Sequence, residues 1–196
     1  MRDCDMSIKE NAVFVFAEQV DNRITPVSLE LLGKAHDLAE KLGSQVVALL
    51  LGFRVAELTN ILTSYGAQAI VLADHADLGQ YRTEPFTQVI SQIIERYQPE
   101  IVLFGGTSIG RDLAPRVAGR VHTGLTADCT SLEIEEDSKR FLMTRPAFGG
   151  NLLATIVCPE HRPAMATVRP GVMVKREPNE TAVAEIVDFH GIIVEN

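Results

Sequence analysis

Gly105 and Gly110 bracket four residues, Gly106-Thr107-Ser108-Ile109, in the glycine spacing of a phosphate-binding loop. In such a loop the next two residues are Lys, for the phosphates, and Ser or Thr, for Mg²⁺. Here they are Arg111 and Asp112, and a carboxylate in that place repels phosphate. The spacing is not G-x-G-x-x-G either, so the dinucleotide fingerprint is absent. Two readings remain. The turn follows the apolar run Ile101–Phe104 and opens a helical stretch, where open α/β sheets place ligands; Gly106, Thr107, Ser108, Gly110 and Arg111 would then be the contacts. Otherwise it is a tight strand-to-helix turn with Asp112 as the N-cap.

Other chemistry-bearing residues are sparser. Cys158-Pro159-Glu160-His161 offers two metal-ligand types, but a structural zinc site needs four, and no second pair has matching spacing; no metal is expected. His36, His75, His122, His161 and His190 form no HxH or HExxH pattern, and no G-x-S-x-G elbow exists. No catalytic residue is assigned. Glu30, Asp37, Glu40 and Glu95 read as solvated helix faces. Thr144–Asn151 and Thr167–Val172 each set an Arg-Pro pair beside glycine at a strand end. An arginine there offers a fixed fork of donors to a partner's carboxylates, phosphates or carbonyls. Turn-forming loops with incidental arginines fit equally well on physics alone.

The elements that must carry these residues follow from periodicity. Ala12–Ala17, Val46–Leu51, Ala69–Ala73 and Ile101–Phe104 are continuous apolar runs, as in strands buried on both faces of a parallel sheet. Gln19–Thr25 reads as a polar loop. Ser28 is placed to N-cap a helix with Leu31, Ala35, Leu38 and Leu42 as its stripe, ended by Gly43. A second helix covers about Val55–Tyr65, stopped by Gly66. A third carries Phe86, Val89, Ile90, Ile93, Ile94 and Tyr97, closed by Pro99, and a fourth runs over about Asp112–Val121 with Pro115 in its first turn. Four strand-then-helix repeats predict a doubly covered parallel sheet with right-handed crossovers. Beyond Leu125, strand-like pieces at Ala127–Ile134, Phe141–Arg145, Leu152–Val157, Ala164–Val168 and Ala184–Asp188 extend or cap that sheet, the first two joined as a hairpin through Glu135–Lys139. The expected fold is one three-layer α/β/α domain over residues 1–196, Rossmann-like, with a core over about 11–172 and a linker-like 173–196 that ends in a last strand.

Composition sets the outer bounds. The 196 residues are 46% hydrophobic and 22% charged, which is globular and excludes disordered, collagen-like and coiled-coil classes. A net charge of −8 without a basic cluster argues against nucleic acid as a partner. Cys4, Cys129 and Cys158 form no C-x-x-C pair and fit a reducing compartment. The polar, acidic start is no signal peptide, and the apolar runs are too short to span a bilayer. The expectation is a cytoplasmic protein with no membrane contact.

From Gly105 onward a family resemblance becomes specific. Gly110–Ala118, Gly124–Thr130, Thr144–Asn151 and Met165–Gly171 occur in order, with Phe16-Ala17-Glu18 on the first strand. Together they resemble the N-terminal domain of the electron transfer flavoprotein alpha subunit, over about Asn11 to Asp188. The resemblance implies an α/β domain of the adenine nucleotide alpha hydrolase-like kind. It implies a separate C-terminal domain holding FAD, and a beta subunit of similar fold holding AMP or, in electron-bifurcating members, a second FAD. The alpha N-terminal domain is then a static platform beneath the swinging flavin domain. Leu29–Ala35 and Tyr81–Pro85 look most like versions from anaerobic bacteria and favour a bifurcating system.

On that resemblance the chain is an electron-carrier component, not an enzyme by itself, taking electrons from an acyl-CoA or similar dehydrogenase through the complex. FAD belongs to the full-length alpha subunit, and none is expected on this chain alone, because the sequence stops at Asn196 with no flavin domain. The Gly105–Asp112 turn then matches a nucleotide site that has lapsed. Arg145, Pro146, Phe148, Arg169 and Pro170 are the candidate partner contacts, and a platform without its partners is expected to self-associate. The rival function is a stand-alone adenine-nucleotide-binding protein of the universal-stress type, with ligand at Gly105–Asp112. An ATP-pyrophosphatase-type ligase wants Ser-Gly-Gly after the first strand, where this chain has Glu18-Gln19-Val20.

Overall fold

The computed structural model of the chain describes residues 8–147 and 152–193. In chain order its strands are β1 (Val13–Phe16), β2 (Gln19–Val20), β3 (Arg23–Ile24), β4 (Val46–Gly52), β5 (Ala69–Asp74), β6 (Ile101–Gly105), β7 (Leu125–Cys129), β8 (Ser131–Ile134), β9 (Phe141–Pro146), β10 (Leu153–Ile156), β11 (Ala164–Val168) and β12 (Glu185–Asp188). Four α-helices accompany them: α1 (Pro26–Leu42), α2 (Thr59–Ser64), α3 (Thr83–Tyr97) and α4 (Ser108–Arg120).

Seven strands form one parallel sheet in the order β12-β5-β4-β1-β6-β11-β7. The residues of β1 show why a continuous apolar run is needed. Val13 and Val15 face a cluster with Leu31, Leu32, Ala35 and Leu38 of α1, whereas Phe14 and Phe16 face Phe86, Ile90, Leu113 and Val117 of α3 and α4. Each large side chain so buried contributes about 1.5–3 kcal/mol. The predicted stripe of α3 is buried at every position from Phe86 to Tyr97. The three-layer, Rossmann-like expectation holds. Strand order reverses between β1 and β6, so the carboxyl ends there form the crevice where such sheets receive ligands.

Several local expectations are corrected. The segment Gln19–Thr25 is not a loop but the hairpin β2–β3, paired Gln19 to Ile24 and Val20 to Arg23. α1 starts at Pro26 with Thr25 as N-cap; Ser28 is fully buried and donates to the Glu18 carbonyl at 3.1 Å. Proline at the first helical position has no amide to lose, which favours the earlier start. Gly43, with φ +63, does end that helix. α4 likewise starts earlier than predicted, at Ser108 with Thr107 as N-cap, so Asp112 is no cap. Pro115 is therefore inside the helix, where it leaves the carbonyl four residues back without its amide donor.

The C-terminal third divides. The predicted piece Ala127–Ile134 is two strands: β7 closes the parallel sheet, and β8 leaves it for a separate antiparallel sheet, β10-β9-β8. Asp128, with φ +62, lies in β7 where its register against β11 shifts between Ala166 and Val168. That small sheet sets Leu132, Ile134, Phe141 and Met143 against the α1 side of the core. The linker-like stretch is laid across α1, so close that a Cβ on Gly33 would lie 2.3 Å from the Val174 carbonyl oxygen. Asn179 N–H then donates to the Ser64 carbonyl at 2.8 Å, and β12 reaches the sheet edge beside β5.

Candidate functional site

The turn between β6 and α4 is closed on itself. Gly106 N–H donates to the Val168 carbonyl at 2.6 Å, and Arg111 N–H to the Thr107 carbonyl at 3.0 Å. The Thr107 hydroxyl accepts from Gly110 N–H at 3.0 Å and gives its own proton to Glu18 Oε2 at 2.5 Å. The glycines serve this packing. A Cβ on Gly110 would lie 1.9 Å from the Gly105 oxygen, one on Gly105 2.8 Å from Val27, and one on Gly106 2.9 Å from the Val168 oxygen.

Glu18, only 4% exposed, therefore lies at the α4 N-terminus, where a phosphate would be received in a related fold. Burial pushes its carboxyl above the usual range, and the Thr107 bond only partly offsets that. Among the described residues no cation pairs with it. Ser108 and Arg111, both exposed, flank the same helix end. A second carboxylate reinforces the acidic character. Asp112 Oδ2 accepts from the Tyr81 hydroxyl at 2.6 Å and from Thr83 at 2.5 Å. Those bonds hold Asp112 below the usual carboxylate range, Thr83 first, and tie the segment after β5 to α4. Beneath this tie a pocket of about 180 Å³ opens between Phe16, Glu18, Leu51, Tyr81, Phe86 and Ile109.

Three β-strands along the rim the charge reverses. Arg169 makes a two-pronged pair with Asp128, Nη2 to Oδ2 at 2.6 Å and Nε to Oδ1 at 3.1 Å. Hydrogen bonds from Arg169 hold Asp128 below the usual range against its own desolvation, and the charges of Arg169, Arg111 and Arg145 act in the same direction. Backbone contacts explain the convergence: Arg169 N–H donates to the Cys129 carbonyl at 3.0 Å, and Thr130 N–H to the Thr144 carbonyl at 2.8 Å. Arg111, read in the sequence as a nucleotide contact, thus shares a neighbourhood with Arg145 and Arg169, read as partner contacts. Arg145 is half-buried on the strand face shared with Phe141 and Met143, and Pro146 beside it is paired with Leu153. Pro170 is exposed; Phe148 lies outside the described residues.

Sequence reasoning missed Glu18, Tyr81, Asp112 and Asp128 as parts of these arrangements. Glu18 carried one signal: it is an acid directly after a buried strand, at the carboxyl end where ligands bind. Of the carboxylates read as solvated, Glu30 instead accepts Gly171 N–H at 2.9 Å. Cys158 Sγ donates to the His161 carbonyl at 3.4 Å, and among the described residues no group of three or more His, Cys, Asp or Glu converges. Among the described residues, no helix is long and apolar enough to cross a membrane.

The geometry defines an open, parallel, Rossmann-like α/β domain in which a buried carboxylate, Glu18, is hydrogen-bonded to the N-cap Thr107 of α4. The chain belongs to the electron transfer flavoprotein domain family, which it matches over residues 13–191. It is 51% identical over 173 residues to the electron transfer flavoprotein subunit alpha of Clostridium acetobutylicum, covering 88% of this chain and 52% of that protein. It is 47% identical over 184 residues to the subunit of the same name from Thermoanaerobacterium thermosaccharolyticum, covering 94% and 56%. Similarity also extends to the lactate dehydrogenase (NAD(+),ferredoxin) subunit LctC of Acetobacterium woodii, at 43% over 157 residues, covering 80% and 37%. The chain spans about half the length of the alpha-subunit relatives, or less.

Proposed function

We propose that this chain is the platform part of an electron transfer flavoprotein alpha subunit. It pairs with a beta subunit and supports flavin-mediated electron transfer from a dehydrogenase, without being an enzyme by itself. FAD is held by a further domain of the alpha subunit, and the protein works in the cytoplasm. The likeness to a lactate dehydrogenase (NAD(+),ferredoxin) subunit favours a bifurcating complex. The observation that carries the platform role is the occupied anion seat: Glu18, bonded to Thr107, stands where a phosphate would bind. A domain so filled is suited to support a cofactor held elsewhere.

Its partner-facing surface is the arginine cluster with the neighbouring edge of β10. Leu152 and Leu153 are 68% and 69% exposed there, and Ala154 pairs with Arg145. Apolar side chains beside arginines are the composition of binding hot spots. Co-expression with an electron transfer flavoprotein beta subunit tests this reading. A stable one-to-one complex is expected, and Arg145→Ala weakens it by about 2 kcal/mol or more while leaving the melting temperature of the chain nearly unchanged. Failure of the unmodified chain to copurify with the beta subunit contradicts the platform role. A variant that melts several degrees earlier yet binds normally makes Arg145 a structural residue only.

A further inference from the structure

The arginines of α4 are used in two ways. Arg116 and Arg120 lean on Glu84 of α3, at 3.6 and 2.8 Å, and tie the two helices together. Arg111, nearer the start of the helix, has no such use. Among the described residues its guanidinium has no hydrogen bond or ion pair, and neither has that of Arg145 on β9. Backbone contacts bring the two to one place. Gly106 N–H donates to the Val168 carbonyl, which ties the start of α4 to the end of β11, and a Cβ on Gly106 would lie 3.5 Å from Arg169 Cα. Thr130 N–H donates to the Thr144 carbonyl, which ties β9 to the end of β7. Asp128 is within reach of all three charges but is taken up by the two-pronged pair with Arg169. The spot is therefore locally positive on a chain whose net charge is −8.

We propose that Arg111 and Arg145 together receive a single carboxylate, an Asp or Glu side chain on an otherwise apolar segment of the beta subunit, while Asp128 keeps Arg169 out of that contact. This deepens the platform reading and rests on it. Arg145 is half-buried, and a guanidinium partly withdrawn from water is unfavourable until a counter-charge arrives. The guanidinium fork suits a carboxylate held by two donors. The neighbouring surface selects a protein source over a free anion. Ala154 pairs with Arg145, and Leu152, Leu153 and Ile156 are exposed along the same edge, where a small anion would leave them bare.

The test places lysine at each position in the complex co-expressed with the beta subunit, because lysine keeps the charge and offers an amine to a zero-length carbodiimide. Arg111→Lys and Arg145→Lys should each give an amide cross-link to the beta subunit that the unmodified complex lacks, and peptide mapping should find the same Asp or Glu in both. Arg111→Gln and Arg145→Gln should each weaken the complex about tenfold or more, the usual loss of a hydrogen bond to a charged group. Arg116→Gln, on the same helix, should change it by less than about twofold. Cross-links to different acids, to Asp128 alone or to nothing overturn the proposal, as does unchanged affinity in either glutamine variant. In those cases capture of the beta subunit stands and only the shared carboxylate fails; absence of capture by the unmodified chain overturns the platform reading and this contact with it. Two other occupants are read on the chain alone. Dimerisation lost in Arg145→Gln would assign the pair to a second copy, and saturable binding of inorganic phosphate below about 1 mM would assign it to a free anion; either overturns the proposal.

Discussion

Two ends of one rim have opposite chemistry. At the β1–β6 crevice, Glu18 and Asp112 are fixed by hydroxyls of Thr107, Thr83 and Tyr81. At the β11–β7 end, Arg169 pairs with Asp128, whose carboxylate also feels the charges of Arg111 and Arg145. The fold offers an anion site at the first place, through strand ends and a helix N-terminus. The chain sets the Glu18 carboxylate beside the α4 N-cap Thr107, while Arg145 and Arg169 lie a few strands away and Arg111 stands on the first turn of α4 itself. Fold position alone therefore misplaces the surface that would recognise an acidic group. Side-chain charge decides it.

The comparison breaks most severely at Gly110. If the β6–α4 turn exists for backbone packing, Gly110→Ala forces the Gly105 carbonyl away from a Cβ that would stand 1.9 Å from it. The expected loss is about 3 kcal/mol or more by chemical denaturation, at the upper end for overpacking. A neutral substitution would mean that the turn is loose and its glycines serve something else.

Glu18 gives a smaller effect with a definite sign. Its carboxyl titrates above the usual range in the folded chain, so the folded state binds the proton more tightly than the unfolded one. Stability from this group is present below the unfolded value and is lost as pH rises through the folded one. Glu18→Gln keeps an acceptor for Thr107 and removes the desolvated charge. Its melting temperature should exceed that of the unmodified chain at pH 8, and the gap should close toward pH 4. A gap that widens on acidification would mean that Glu18 is paired with a cation.

The smallest effect belongs to the opposite end. Asp128→Asn keeps a residue type that tolerates positive φ and removes the charge held by Arg169. Both side chains are partly exposed, so the melting temperature should barely move. Binding to a beta subunit should change instead, because the variant frees Arg169 and raises the local positive charge. A large melting shift with unchanged binding would make the cluster a structural clamp.

Legibility in the sequence followed the range of the interactions. The parallel sheet and α3 were readable because burial on both faces demands continuous apolar runs and an unbroken stripe. Helix starts at Thr25 and Thr107 were misjudged because Ser28 and Asp112 have cap-forming side chains that the fold uses across the chain instead. Ser28 bonds the Glu18 carbonyl ten residues back, and Asp112 bonds Tyr81 and Thr83 about thirty residues back. The irregularity of β7 at Asp128 was hidden for a different reason: positive φ at a non-glycine residue leaves no composition signal. Arg145 and Arg169 were visible as residue types at strand ends, but their meeting with Arg111 depends on β11 inserting between β6 and β7.

The most direct test of the occupied anion seat is titration of the unmodified chain with ATP and pyrophosphate, read by calorimetry and by the amide resonances of Gly106 and Gly110. The account predicts no saturable heat up to about 1 mM and no shift of those amides, because Thr107 and Val168 already hold them. Stoichiometric binding of ATP, tighter than that of adenosine and lost in Thr107→Ala, would show a working phosphate site and contradict it.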